Sequence, residues 1–121
     1  MQKILIIEDE KTLGGIYETF LNSEGFPTKW IASTKDAKEL SANFYADLVL
    51  LDQGLPDEAR DGIEALPELK KLFPSAKFVI FSNYSAFALE EKALQAGADA
   101  YWVKVDIRLG NLSQKIRELF Q

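Results

Sequence analysis

Four short stretches of this 121-residue chain carry side chains able to do chemistry. Glu8-Asp9-Glu10 follows one aliphatic run, Asp52 closes a second, Ser82-Asn83 closes a third, and Lys104 stands after Tyr101-Trp102-Val103. There is no cysteine and no histidine. Disulfides, thiolate zinc sites and Ser-His-Asp or Cys-His catalysis are therefore excluded. Carboxylates, ammonium groups, hydroxyls and oxygen-ligated metals remain. Carboxylates brought to about 4 Å repel by a few kcal/mol at an effective dielectric near ~20, so a cluster of them needs a proton or a cation. A hard divalent ion such as Mg²⁺, which takes oxygen ligands and keeps several waters, meets that need. A lysine and a hydroxyl beside it would make a site for a phosphoryl group on an acidic acceptor.

These residues can meet only if the fold brings them to one edge. Lys3-Ile4-Leu5-Ile6-Ile7 is aliphatic without polar alternation, the look of a strand covered on both faces. Residues 11 to 23 place Leu13, Ile16, Tyr17, Phe20 and Leu21 at helical spacing, with Gly25 as the stop. The cycle repeats. Thr28 to Ala32 reads as a strand, and Ser33-Thr34-Lys35-Asp36 as a cap for a helix reaching Asn43. Asp47 to Asp52 is a buried strand. Residues 63 to 73 read as a helix that starts late or bends at Pro67. Lys77 to Phe81, Ser85 to Gln95, Tyr101 to Val103 and Asn111 to Phe120 complete the alternation as strand, helix, strand and helix. Five strand–helix units predict a parallel sheet with helices on both faces. In such sheets ligands bind outside the carboxyl ends of the strands. Those ends carry Glu8-Asp9-Glu10, Asp52, Ser82-Asn83 and Lys104.

Taken singly, each residue has a plainer reading. An acid after a strand is commonly a helix cap, and Glu10 is assigned that role; a lone serine caps and a lone lysine is solvated. Four strand ends bearing complementary types argue for a shared site. Apolar residues make up 47% and charged residues 27%, the profile of a folded globule. No apolar run approaches the roughly 20 residues that span a bilayer. The net charge of −5 argues against gripping nucleic acid through its phosphates. Gly14-Gly15 costs the first helix about 2 kcal/mol relative to alanine. Close approach of a partner helix and local tolerance of a weak helix are both open readings.

From end to end the chain resembles the receiver domain of two-component response regulators. Ile6-Ile7-Glu8-Asp9-Glu10 resembles the family's acidic pair, and Leu48-Val49-Leu50-Leu51-Asp52-Gln53-Gly54-Leu55-Pro56 the stretch around its phosphorylated aspartate. Asp61-Gly62 resembles the glycine that opens the third helix, and Phe78-Val79-Ile80-Phe81-Ser82 the fourth strand and switch hydroxyl. Ala96-Gly97-Ala98-Asp99-Ala100-Tyr101-Trp102-Val103-Lys104 resembles the run to the switch aromatic and lysine. The resemblance implies a single receiver domain over residues 1–121, a flavodoxin-like doubly wound (βα)5 fold with sheet order 2-1-3-4-5. It implies Asp52 as phosphoacceptor, Mg²⁺ held by Glu8, Asp9, Asp52 and the Gly54 backbone carbonyl, and Ser82, Lys104 and Tyr101 as phosphoryl-contacting and switch residues. It also implies a cytoplasmic protein, phosphorylated by a partner histidine kinase or phosphotransfer protein and not a turnover enzyme. Its output would pass to a downstream protein through the face of the fourth helix, fifth strand and fifth helix. Homodimerisation on phosphorylation is a further expectation; direct nucleic-acid or membrane binding is not.

The chain departs from the family pattern in places. Val105 replaces the proline usual after the lysine, so the Lys104–Val105 bond is expected trans. Asn83 is larger than the usual small residue and is expected to modulate access to Asp52. Gly54 lacks a side chain where one often tunes dephosphorylation, and the loop from Pro56 to Gly62 is about two residues longer than usual. The rival readings are a phosphorylation-independent interaction module, a Mg²⁺-dependent aspartyl phosphatase and a flavin-binding domain. The acids, Asp52 and Lys104 are all present, against the first. The phosphatase wants a second acid where Gly54 stands. A flavin phosphate would be repelled by Glu8-Asp9-Glu10. With the chain ending at its fifth helix, the expectation is a stand-alone regulator or the receiver of a longer protein.

Overall fold

The computed structural model describes residues 1–54 and 61–121. Strands β1 (Ile4–Ile7), β2 (Thr28–Ile31), β3 (Leu48–Asp52), β4 (Lys77–Ser82) and β5 (Ala100–Val103) alternate with helices α1 (Lys11–Ser23), α2 (Ala37–Ser41), α3 (Gly62–Leu72), α4 (Phe87–Gln95) and α5 (Leu109–Leu119). Every strand pairing is parallel, in the order β2-β1-β3-β4-β5. This is the flavodoxin-like doubly wound sheet that the alternation and the resemblance predict.

The aliphatic runs are continuous because both sheet faces are covered. Ile4, Ile6, Leu48, Leu50, Val79, Phe81 and Trp102 face one way, against Leu21 of α1 and Leu112 and Ile116 of α5. Leu5, Ile7, Val49, Leu51, Phe78 and Ile80 face the other, against Ala37 of α2, Ile63, Leu66 and Leu69 of α3 and Ala93 of α4. Alternate residues of one strand thus serve two cores. Tyr101 packs on the second core and Trp102 in the first, as their adjacency requires.

Helix ends depart most from the sequence reading, and three of the departures have a local cause. Ser33 is extended and makes no side-chain cap; a 3₁₀ turn at Thr34–Asp36 intervenes, and α2 stops at Ser41 short of Asn43. Only Ala37 of that helix is buried, so little packing extends it. The late start expected of α3 does not occur. Asp61 and Glu64 form a reciprocal capping box that begins the helix at Gly62, and it continues through Pro67 to Leu72. Four apolar side chains buried along it, Ile63, Ala65, Leu66 and Leu69, offset the donor lost at Pro67. Helix α4 begins at Phe87, not Ser85, because Tyr84 is held in the preceding loop by its N–H bond to Ser82 Oγ. Helix α5 begins at Leu109, two residues before Asn111. Gly25 and Gly97, at φ 94° and 106°, close α1 and α4 as expected of left-handed stops. No described peptide bond is cis, so Lys104–Val105 is trans.

The two glycines of α1 separate into different cases. A Cβ on Gly14 would lie 2.1 Å from Nε1 of Trp30, whose indole crosses from β2 into that space. A Cβ on Gly15 would meet open space. Gly14 is therefore explained inside the molecule, by a ring that neither open reading included. Alanine is the better helix former by about 1 kcal/mol, but here it overpacks, at a typical cost of roughly 1–3 kcal/mol. We expect Gly14→Ala to destabilise the protein by about 1 kcal/mol in urea unfolding, and to become neutral or stabilising in a Trp30→Val background. An equal effect in both backgrounds would show that the ring is not the cause.

Candidate functional site

The sheet order reverses direction between β1 and β3, and there the carboxyl ends of adjacent strands leave a crevice. Ile7 pairs with Leu51, which brings Glu8 level with Asp52. Asp52 pairs with Phe81 and Ser82 with Val103, so Ser82 and Lys104 stand one step beyond, on the next strands. Glu8, Asp9, Asp52, Gly54, Ser82, Asn83 and Lys104 line one cleft of about 270 Å³. Of the residues singled out for the site, Tyr101 alone does not line this cleft. Leu55 to Arg60, including most of the lengthened loop, lie outside the described residues.

Glu8, Asp52 and Ser82 are buried, at 3%, 7% and 1% exposure, and Asp9 is half-buried. Lys104 bridges the acids. Its Nζ donates to Glu8 Oε1 and, at 3.2 Å, to Asp52 Oδ1. Burial is the largest influence on Asp52 and raises its pKa; the bond with Asp9 and the Glu8 charge add to this, Lys104 opposes it, and the carboxyl is pushed up to about 8. Burial alone would lower the Lys104 pKa, but the Glu8 bond and the two acidic charges outweigh it and raise it. The cleft thus holds one ammonium against more carboxylate than it can neutralise.

That imbalance is the test of fit for a cation. Glu8, Asp9 and Asp52 each offer a carboxylate oxygen, all within 4.8 Å of one another. An all-oxygen donor set in which an acid retains a proton suits a hard divalent ion, which can take that proton's place. Gly54, which has no Cβ, lies at the same cleft.

Backbone contacts that sequence reading missed hold these groups. Glu10 caps α1 as assigned, accepting from the N–H groups of Thr12 and Leu13, and its own N–H donates to Glu8 Oε2. Gln53 Oε1 accepts from Ile63 N–H at 2.9 Å, and Gly62 N–H donates to the Gln53 carbonyl. A Cβ on Gly62 would stand 2.3 Å from the Asp52 carbonyl oxygen, so the helix can start this close to the aspartate only with glycine there. Tyr84 joins two other groups through its main chain. Its N–H donates to Ser82 Oγ at 3.0 Å, and its carbonyl accepts from the Tyr101 hydroxyl at 2.6 Å. Tyr101 is half-buried and does not line the cleft; its link to Ser82 runs through Tyr84. Asn83 is exposed at the rim. Any residue type supplies these main-chain groups, so Tyr84 left no signal in the sequence. Trp30 left one only indirectly, through Gly14.

The fold, the acid cluster and the bridging lysine define a class, and the chain belongs to it: the model of the response regulator receiver domain matches residues 4–117. Sporulation initiation phosphotransferase F of Bacillus subtilis is 28% identical over 85% of this chain and 82% of its own length. The KDP operon transcriptional regulatory protein KdpE of Escherichia coli is 31% identical over 97% of this chain and 50% of its own. The chain spans less than half the length of several other curated relatives. Among solved structures, a CheY-like response regulator receiver domain protein from Methanospirillum hungatei superposes with a TM-score of 0.84. It is 30% identical, covering 98% of this chain and 92% of that one. Receiver domains are signalling domains of two-component systems. No helix among the described residues is long and apolar enough to cross a membrane.

The raised Asp52 pKa has a stability consequence of definite sign. The folded carboxyl binds its proton more tightly than the unfolded chain does. This contribution is therefore complete below the ordinary carboxyl range near pH ~4 and is lost as pH rises through about 8. In metal-free buffer we expect Asp52→Asn to melt above the unsubstituted protein at pH 8.5, by roughly 4 °C for a gain near 1 kcal/mol. The gap should close towards pH 4.5. A gap independent of pH in calorimetry would contradict the raised pKa.

Proposed function

We propose that this chain is a phosphorylation-controlled switch in which Asp52 accepts a phosphoryl group from a partner. Residues 1–121 form one receiver domain on this reading. The observation that carries it is the position of Asp52, at the switch point between β1 and β3 with Glu8 and Asp9 beside it and Lys104 Nζ shared between Glu8 and Asp52. Asp52 oxygen forms the new bond to phosphorus. The N–P bond of the donor's phosphohistidine breaks, and its electron pair stays on the donor nitrogen. The chain has no histidine of its own, so the donor imidazole comes from a histidine kinase or phosphotransfer protein. Glu8, Asp9, Asp52 and the Gly54 carbonyl would hold Mg²⁺, which would supply neutralising charge to the phosphoryl oxygens.

The remaining steps belong to the chain's own groups. Lys104 leaves its carboxylate partners to pair with the phosphoryl group. Ser82 Oγ, now an acceptor for Tyr84 N–H, turns its hydroxyl to a phosphoryl oxygen. Because Tyr84 is shared, that movement reaches Tyr101 and shifts the population of the face formed by α4, β5 and α5. Tyr84 and Phe87, 64% and 76% exposed, give this face apolar contact area for a downstream protein partner. Asn83, at the rim, sets access of water and of donors to Asp52. The domain acts on itself alone, in a cytoplasmic setting. Gly54, standing where a phosphatase of the aspartyl class needs its second acid, weighs against turnover chemistry.

Intact-mass spectrometry after incubation with acetyl phosphate and Mg²⁺ should show one added phosphoryl group. The adduct should be absent without Mg²⁺ and absent in Asp52→Asn. An equal adduct in Asp52→Asn would reassign the acceptor. Lys104→Ala should still bind Mg²⁺ yet lose the phosphorylation-dependent change at Tyr101. A normal change there, followed by NMR of the tyrosine ring, would remove the lysine from the coupling.

A further inference from the structure

We propose that Trp30 is a positioning residue for the acidic pair Glu8-Asp9, acting through the main chain of Glu8; this rests on the reading of that pair as the metal-holding half of the cleft. Trp30 lies on the edge strand β2, outside the cleft, and is half-buried. Its indole N–H donates to the Glu8 carbonyl at 2.7 Å. Its main-chain N–H donates to Glu18 of α1 at 3.0 Å, which ties the same residue to the helix that follows the acids. The ring occupies the space that a side chain at residue 14 would fill.

The geometry makes the bond consequential. Glu8 is the first residue beyond β1, and its N–H is already held by the Ile31 carbonyl of β2. The Trp30 bond fixes the other side of the same residue, so the peptide linking Glu8 to Asp9 is clamped where both side chains depart. The Glu8 carboxylate is in turn fixed by Lys104 and by the N–H of Glu10. Preorganised ligands bind a cation better because less conformational freedom is lost on binding, and residues outside the ligand set commonly supply that order. Trp30 also packs on α1, so the clamp links the edge of the sheet to the acids.

The test measures Mg²⁺ affinity of the unsubstituted protein, of Trp30→Phe and of Gly14→Ala. Phenylalanine keeps an aromatic ring and removes the N–H. We expect an affinity about fivefold weaker, the size of one lost hydrogen bond, with the far-ultraviolet dichroism unchanged. A lower melting point alone would not produce this, because affinity is read on protein that remains folded. Gly14→Ala, which pushes on the indole from α1, should weaken Mg²⁺ in the same direction. In a Trp102→Phe background Trp30 is the single indole, and its fluorescence should titrate with the same midpoint as Mg²⁺ binding. Unchanged affinity in Trp30→Phe, or a flat Trp30 signal while Mg²⁺ binds, would overturn the positioning role and leave the metal site standing. Should Trp30→Phe not fold, Gly14→Ala and the Trp30 titration decide. An unsubstituted protein that binds no Mg²⁺ would overturn the metal reading itself, and the role of Trp30 with it.

Discussion

Two adjacent parallel strands end in acids, and the resulting crowding of negative charge is the constraint around which this molecule is arranged. The register that pairs Ile7 with Leu51 leaves Glu8 and Asp52 side by side, buried, with Asp9 next to them. Buried like charges cannot all ionise unopposed. Lys104 opposes part of the charge, and an acid that keeps its proton relieves more. A site in this condition is poised, because a cation or a phosphoryl group changes which charges need partners. The switch proposed for this chain would draw on that incomplete balance.

The fold tolerates that imbalance because the strands beneath it are anchored on both faces. Ile4 to Ile7 and Leu48 to Leu51 are almost wholly inaccessible, and each such side chain contributes about 1.5–3 kcal/mol on burial. This burial anchors the strand ends on which the charged cluster stands. The same division separates the two aromatics of β5. Tyr101 faces the core of α2, α3 and α4, and Trp102 faces the core of α1 and α5. Phe81, under the Lys104 ammonium at 5.8 Å, belongs to the second.

Much of this was legible in the sequence for reasons of topology. Doubly covered strands demand unbroken aliphatic runs, and Leu-Val-Leu-Leu before Asp52 can hardly be anything else. Ligands lie at the carboxyl ends of such strands, so reading the next residue of each run found the cleft. Helix ends were less legible, because they depend on partners far along the chain or on none. Ser33 offers a capping hydroxyl that is not used, whereas the capping box of Asp61 and Glu64 starts α3 ahead of Pro67. Gln53, Tyr84 and Trp30 escaped for a common reason. Their bonds join main-chain groups, which carry no residue type, or cross between elements whose relative placement no local pattern encodes.

Helix α4 is secured unequally at its two ends. At its carboxyl end, Gly97 and Ala98 turn their N–H groups back onto Leu94 and Ala93, and Lys70 Nζ from α3 holds the Gly97 carbonyl. At its amino end Ala86 offers no side-chain oxygen to the first turn, and Ala93, near the far end, is the helix's buried residue. Helix α4 is therefore held by more partners at Gly97 than at Phe87, the end that follows Tyr84 and the cleft.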